Sequence, residues 1–141
     1  MTELENKLGY TFKNQELLRE ALTHSSYANE HRFAGLQCNE RLEFLGDSVL
    51  GFIVAEYLFT NFPDMPEGKM TRLRADLVCE GALAAVAARL GLGDALLLGI
   101  GEERTGGRKR NSVIADATEA LFAAVYLDGG IEEIKAIIYR F

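Results

Sequence analysis

Apolar residues recur along this chain at the three- and four-residue spacing of amphipathic helices. The first clear segment runs from Asn14, a favourable N-cap residue, to His24. Further helices are predicted over residues 40–59, 69–78, 81–90, 113–127 and 131–141. No window alternates apolar and polar residues as a half-buried strand does. The pattern therefore predicts an all-α fold.

The longest predicted helix, residues 40–59, contains two glycines, Gly46 and Gly51. Each glycine weakens a helix interior by about 1 kcal/mol relative to alanine. We therefore expect this helix to pack closely against another backbone at these positions.

Length and composition are typical of one folded domain spanning residues 1–141, since 48% of the 141 residues are hydrophobic. No apolar run approaches the roughly 18 residues of a membrane span, and the N-terminus does not resemble a signal peptide. We expect a cytoplasmic protein with no membrane contact and free thiols at Cys38 and Cys79. The last apolar stripe continues to Phe141 without a stop signal, so we expect the chain to be truncated before a further domain.

The net charge of −6 argues at first against a nucleic-acid partner, because phosphate binding usually requires surplus lysine and arginine. A polyanion responds to the local field, however, and one predicted loop, broken by glycines, is strongly basic. Its four cations are Arg104, Arg108, Lys109 and Arg110. Net charge alone therefore does not exclude RNA or DNA.

Two predicted helices each carry a line of carboxylates on an otherwise apolar surface. Asp116 and Glu119 are the only charged residues between positions 112 and 127, and their i, i+3 spacing puts them on one face. Glu40, Glu43 and Asp47 are spaced in the same way in the earlier helix. If the two faces meet, Glu43, Asp47, Asp116 and Glu119 form an all-oxygen site that suits Mg²⁺ or Mn²⁺.

The sequence also allows two other interpretations of these acids. They can solvate a surface face, or they can pair with Arg41, Arg72 or Arg74 in a buried ion-pair network. A Mg²⁺ site would indicate phosphate chemistry, and no nucleotide-binding P-loop, GxSxG or HExxH motif competes with it. We expect His24 and His31 to be structural or surface residues.

Several segments resemble the ribonuclease III family. NERLEFLGDSVL, residues 39–50, is similar to the signature segment of that family, and ALTHSSYAN, residues 21–29, to one of its N-terminal segments. PEGKMTRLRADLV and ADATEALFAAVYLDGG resemble its middle and last catalytic segments. The resemblance covers nearly the whole chain. It implies a helical homodimer whose two active centres face opposite strands of an RNA duplex.

By motif position, the resemblance assigns metal binding to Glu43, Asp47, Asp116 and Glu119, with Asp47 and Glu119 as the foremost catalytic residues. Glu40 and Glu67 match further acids that line the valley shared by the two active centres of the family's dimer. Phe44 matches an aromatic of subunit packing, although it also suits an ordinary core. The implied activity is Mg²⁺-dependent hydrolysis of double-stranded RNA to 5′-phosphate and 3′-hydroxyl products, in rRNA and mRNA processing. Mn²⁺ can substitute, and the number of ions is not determined.

The usual bacterial member continues into a double-stranded-RNA-binding domain, which this sequence does not contain. We therefore expect weak, salt-sensitive RNA binding. The candidate phosphate contacts are Lys69, Arg72, Arg74, Arg104, Arg108, Lys109 and Arg110.

Two other functions are weighed against the enzyme. A catalytically silent ribonuclease III-like module for RNA binding or ribosome assembly would be expected to lose one of the four acids, and all four are present. A helical interaction domain with buried ion pairs would not respond to metal at all.

Overall fold

The computed structural model describes residues 2–141, and its regular structure there is helical throughout. The helices are α1 Glu3–Leu8, α2 Gln15–Leu22, α3 Ser25–Glu30, α4 Glu40–Asn61, α5 Glu67–Val78, α6 Glu80–Leu90, α7 Leu92–Ala95, α8 Ile100–Arg104, α9 Asn111–Gly129 and α10 Ile131–Arg140. Two 3₁₀ turns lie at Arg32–Ala34 and Gly107–Lys109. Within residues 2–141 no strand forms, and a single parallel bridge joins Thr23 to Leu97. The all-α prediction is confirmed.

The long helices begin and end within a few residues of their predicted limits. Asn14 caps α2 as expected, with its side chain accepting a hydrogen bond from the Glu16 backbone N–H. α2 ends at Leu22, because His24 adopts an extended backbone and caps α3. The basic segment was expected to be a glycine-broken loop, but α8 and the second 3₁₀ turn occupy most of it.

α9 is the central helix of the fold. It packs against α4, α6, α2 and α10, and its residues from Ala120 to Val125 are all buried. This explains why a 19-residue helix can be apolar on nearly every side. No helix within residues 2–141 combines the length and the apolar character that crossing a membrane requires.

The two glycines of α4 differ in their surroundings. A Cβ at Gly46 would overlap the backbone carbonyl of Glu119, so the close approach predicted for Gly46 is confirmed. A Cβ at Gly51 would meet no atom within 4 Å, so the same prediction for Gly51 is wrong. Gly46 therefore sets the distance between α4 and α9, and it does so beside the acidic residues of both helices.

Candidate metal-binding site

The crossing of α4 and α9 brings the two predicted lines of carboxylates to one cavity of about 590 Å³. Five acids line it, together with His24, Ser25, Asn39, Phe44 and Val113. The acids are Glu40, Glu43 and Asp47 from α4 and Asp116 and Glu119 from α9.

Three of these acids are tightly grouped. One carboxylate oxygen each from Glu43, Asp116 and Glu119 lies within 4.8 Å of the others, as the ligands of a single ion would. Asp47 is more exposed, and its carboxyl group lies within hydrogen-bonding distance of Glu119. All four predicted ligands therefore share one site, with Asp47 on the solvent side.

The carboxyl groups repel one another strongly. Burial, together with the neighbouring Asp47, Glu43 and Asp116, raises the pKa of Glu119 to about 8. Burial and the charges of Asp116, Glu40 and Asp47 raise the pKa of Glu43 to about 7. The pKa of Asp116 is raised by burial, an effect that its hydrogen bond with Glu43 partly offsets.

No basic side chain among residues 2–141 forms a salt bridge with this group. The salt bridges found within residues 2–141 are Lys7–Glu3, Arg108–Glu103, Arg110–Glu102 and Lys135–Glu56, and none includes an acid of the cavity. The ion-pair network considered for Arg41, Arg72 or Arg74 is therefore not found in the described part of the chain. A solvated surface face is also a poor description, since Glu43, Asp116 and Glu119 are partly buried.

The donor set suits a hard divalent cation. Its ligand atoms are carboxylate oxygens, which Mg²⁺ and Mn²⁺ prefer, whereas neither cysteine lines the cavity. Burial and the neighbouring carboxylates raise the pKa of Glu43 and of Glu119, and no salt bridge within residues 2–141 offsets this effect. A divalent cation would supply the compensating positive charge.

Glu67, predicted for the acidic valley, and Phe44, predicted for subunit packing, lie in different places. Glu67 begins α5 and does not line the cavity, so its role stays a prediction. Phe44 lies at the cavity and is 80% exposed, which rules out its interpretation as a core phenylalanine.

The predicted phosphate contacts fall into two groups. Lys69, Arg72 and Arg74 are exposed on α5, and Arg104 and Lys109 are exposed near α8; none of the five forms a salt bridge within residues 2–141. The remaining two, Arg108 and Arg110, are occupied by protein partners.

Arg108 pairs with Glu103 at 2.7 Å and donates hydrogen bonds to the carbonyls of Gly93 and Leu96. Arg110 pairs with Glu102. These two arginines therefore tie the basic segment to the fold, and Arg104 and Lys109 carry its free charge.

Sequence reasoning missed four residues that line the cavity, namely His24, Ser25, Asn39 and Val113. His24 caps α3 through its Nδ1, in agreement with the structural role expected for it, yet its ring also lines the cavity. Asn39 is buried, and its side chain donates to the carbonyl of Ala21 instead of capping α4. The position of Asn39 directly before a helix signals only a cap, so the cross-link to α2 had no signal in the sequence.

Comparisons with known proteins identify the family of this chain. The chain matches the Ribonuclease-III-like family model over residues 14–141. It is 53% identical over 138 residues to ribonuclease 3 of Caldanaerobacter subterraneus, covering 98% of this chain and 60% of that protein. It is 55% identical over 138 residues to ribonuclease 3 of Geobacter metallireducens, covering 97% and 56%. The chain thus spans less than two thirds of the length of these relatives.

Solved structures show the same fold. The nuclease domain of ribonuclease III from Campylobacter jejuni has a TM-score of 0.91 and 44% identity, with 98% of this chain and 92% of that chain covered. That structure is described as flexible in a region involved in dimer formation. Dicer from Pichia stipitis matches at a TM-score of 0.66 and 28% identity, with 91% and 53% covered. On these matches and on its family model, the chain belongs to the ribonuclease III family.

Proposed function

We propose that residues 1–141 form the catalytic domain of a Mg²⁺-dependent endoribonuclease that hydrolyses double-stranded RNA. One observation carries the proposal: four carboxylates from α4 and α9 line a single cavity and form no salt bridge within the described residues 2–141, in a chain of the ribonuclease III family. The relatives named ribonuclease 3 support the same activity.

Glu43, Asp47, Asp116 and Glu119 would hold the cation, and Mn²⁺ could substitute because it prefers the same oxygen ligands. When bound, Mg²⁺ supplies Lewis-acid chemistry, lowering the pKa of water and stabilising negative charge on phosphate oxygens. The uncompensated acids, with their raised pKa values, are the evidence that the residues fit such an ion.

Asp47 and Glu119 are the residues proposed to act most directly in the reaction. Asp47 is the exposed member of the pair, so it faces the side from which RNA and water enter. Water attacks the phosphorus, the bond to the 3′ oxygen breaks, and that oxygen gains a proton. The products therefore carry a 5′-phosphate and a 3′-hydroxyl.

A homodimer is proposed because α4 exposes an aromatic face. Phe44, Phe52 and Phe59 are separated by eight and seven residues, so they lie on one side of the helix, and they are 80%, 57% and 74% exposed. Contiguous exposed apolar surface of this kind marks an interface. Since Phe44 also lies at the cavity, a second subunit on this face would border the catalytic site.

The remaining parts of the proposal concern substrate and setting. Double-stranded RNA is recognised mainly by its shape and by phosphate and 2′-hydroxyl contacts, which the exposed cations of α5 and α8 can provide. Cys38 and Cys79 are free thiols, in keeping with action in the reducing cytoplasm. Processing of rRNA and mRNA is the role that the family resemblance implies.

A catalytically silent RNA-binding or ribosome-assembly module is the alternative function. It would use the same exposed cations but would have no need for four acids gathered without a counter-ion. The complete acidic set therefore favours the enzyme.

The decisive experiment is cleavage of a long RNA duplex at low salt, with Mg²⁺ or with EDTA, by the wild-type chain and by Glu119→Gln. We expect short duplexes with 5′-phosphates only with Mg²⁺ and only from wild type. The control is Glu133→Gln, an exposed acid of α10, which should cut like wild type. Uncut RNA bound by the folded wild-type chain would favour the silent module.

A further inference from the structure

His24 is held at the cavity from both sides by backbone contacts. Its N–H donates to the carbonyl of Leu97 at 3.0 Å, next to the bridge between Thr23 and Leu97. The carbonyl of Thr23 accepts from the N–H of Asn39 at 2.9 Å. The backbone that carries the imidazole is therefore tied to the N-terminus of α4, the helix that supplies three of the cavity's acids.

The hydrogen bonds of this ring determine which nitrogen carries the proton. Nδ1 accepts from the backbone N–H of Ser26 at 3.1 Å, and the Ser26 hydroxyl lies 2.7 Å from the same nitrogen. A backbone N–H can only donate, so Nδ1 presents its lone pair to Ser26. The neutral ring consequently carries its hydrogen on Nε2, where the capping contact leaves it available as a donor.

The Ser26 hydroxyl is itself held in place. Its oxygen accepts from the N–H of Gly99 at 2.8 Å, and Glu30 accepts from the N–H of Ile100 at 2.5 Å. A Cβ at Gly99 would overlap both Glu30 and the Ser26 backbone, so α3 and the start of α8 are in close contact. The ring is thus oriented before any substrate arrives, which is the condition under which a single donor is most effective.

The cavity is poor in hydrogen-bond donors. Five of its lining side chains are acids, and the amide of Asn39 already donates to Ala21. A phosphodiester has only acceptor oxygens, so a phosphate in this cavity needs N–H or O–H groups besides a cation. Asn39 has a second N–H but is buried, whereas His24 and Ser25 are lining residues with an N–H or O–H to offer.

We propose that the Nε2–H of His24 donates a hydrogen bond to a phosphate oxygen of the RNA strand that is being cut. This inference rests on the proposed function and adds a substrate-binding residue to it. His24 lies close to the acidic group, since it lines the same cavity as Asp116 and the other acids.

Two substitutions separate this role from capping. In His24→Asn the amide oxygen can replace Nδ1 as the cap acceptor, because asparagine is a favourable N-cap residue, but no donor remains at the Nε2 position. In His24→Gln the amide nitrogen can reach the Nε2 position, while the cap is weakened. If His24 only capped α3, the asparagine variant would cut like wild type and the glutamine variant would cut more slowly.

If His24 donates to the phosphate, His24→Asn should instead cut more slowly than His24→Gln. Single-turnover cleavage with saturating Mg²⁺ should be slower in His24→Asn by about 100-fold, the scale seen when one fixed donor to a reacting oxyanion is removed. His24→Gln should recover most of that rate. Mg²⁺ affinity, measured by calorimetry without RNA, should be unchanged in the asparagine variant. His31→Asn, at the exposed second histidine, is the matched control and should cut like wild type.

A folded His24→Asn variant that cuts as fast as wild type would overturn the role of His24 and leave the nuclease intact. An asparagine variant that loses Mg²⁺ affinity would also overturn it, because His24 would then act through the metal ligands. A wild-type chain that fails to cut duplex RNA with Mg²⁺ would instead contradict the proposed function, and the inference would fail with it.

Discussion

The surroundings of Glu43 and Glu119 raise the pKa values of both carboxyl groups far above the usual value for glutamate. In an unfolded chain both would ionise near pH 4.5, whereas in the fold their pKa values are raised to about 7 and about 8. The folded protein therefore binds more protons than the unfolded chain between pH 4.5 and about pH 8. Its metal-free stability must fall as the pH rises through that interval.

The first prediction concerns this pH dependence. In EDTA, the free energy of unfolding of wild type should decrease between pH 5 and pH 8 relative to Glu119→Gln, by roughly 1 to 2 kcal/mol after allowing for solvent screening in an open cavity. Below pH 4.5 the Glu119 carboxyl is protonated in both the folded and the unfolded state. The pH-dependent difference in unfolding free energy between wild type and Glu119→Gln should therefore vanish there. Urea unfolding at a series of pH values measures the effect. Parallel curves for the two proteins would contradict it.

The second prediction separates the arginines of the basic segment. Arg108→Ala removes an ion pair and hydrogen bonds to two carbonyls, so the free energy of unfolding should fall by about 1.5 to 3 kcal/mol.

The double variant Arg104→Ala, Lys109→Ala removes exposed charge, so the free energy of unfolding should not change while RNA binding weakens. The slope of log K against log salt should drop by about 0.9 for each phosphate that the protein no longer neutralises. An unchanged slope would exclude these two residues as phosphate contacts.

At the scale of elements, the contact between α4 and α9 determines the site. Gly46 allows the Glu119 backbone to approach, and the acids lie next to this point on both helices. A helix separation larger by one methyl group would therefore move Glu43 and Asp47 relative to Asp116 and Glu119.

The third prediction follows for Gly46→Ala. We expect a loss of about 1 to 3 kcal/mol in unfolding free energy from overpacking, together with weaker Mg²⁺ binding and slower cleavage. The matched control is Gly81→Ala in α6, where an added Cβ meets no atom within 4 Å. The free energy of unfolding of Gly81→Ala should equal that of wild type or exceed it by up to about 1 kcal/mol. If both variants behave alike, the close approach at Gly46 does not position the acids.

The limits of sequence reasoning are also clearest among the elements. α4 and α9 were predictable because each is long enough for its apolar pattern to repeat, and their carboxylate spacing indicated a shared site. α1, α3, α7 and α8 have only four to six residues, which is too short for a helical period to be recognised. Gly46 and Gly51 look alike in sequence, since only the position of a second backbone distinguishes them. The place of His24 at the cavity depends on long-range contacts with Leu97 and Asn39, which no local pattern encodes.

For the whole molecule, the exposed aromatic face of α4 raises the question of a second subunit. Phe44 and Phe33 are both highly exposed phenylalanines, at 80% and 98%, but only Phe44 lies on α4 beside Phe52 and the cavity. An interface on this face would bury Phe44 and leave Phe33 in solvent. The two residues therefore form a matched pair for testing the dimer.

The fourth prediction is that Phe44→Ala weakens dimerisation, whereas Phe33→Ala does not. A buried aromatic anchor contributes about 2 kcal/mol or more to an interface, so the dissociation constant should rise at least about 30-fold. Sedimentation over a range of protein concentrations measures it. At concentrations where the variant is monomeric, each binding event presents one cavity to the duplex, so nicks in single strands should accumulate before double-strand cuts. Paired cuts by a monomeric variant would mean that one chain can reach both strands, and the two-centre arrangement would then be wrong.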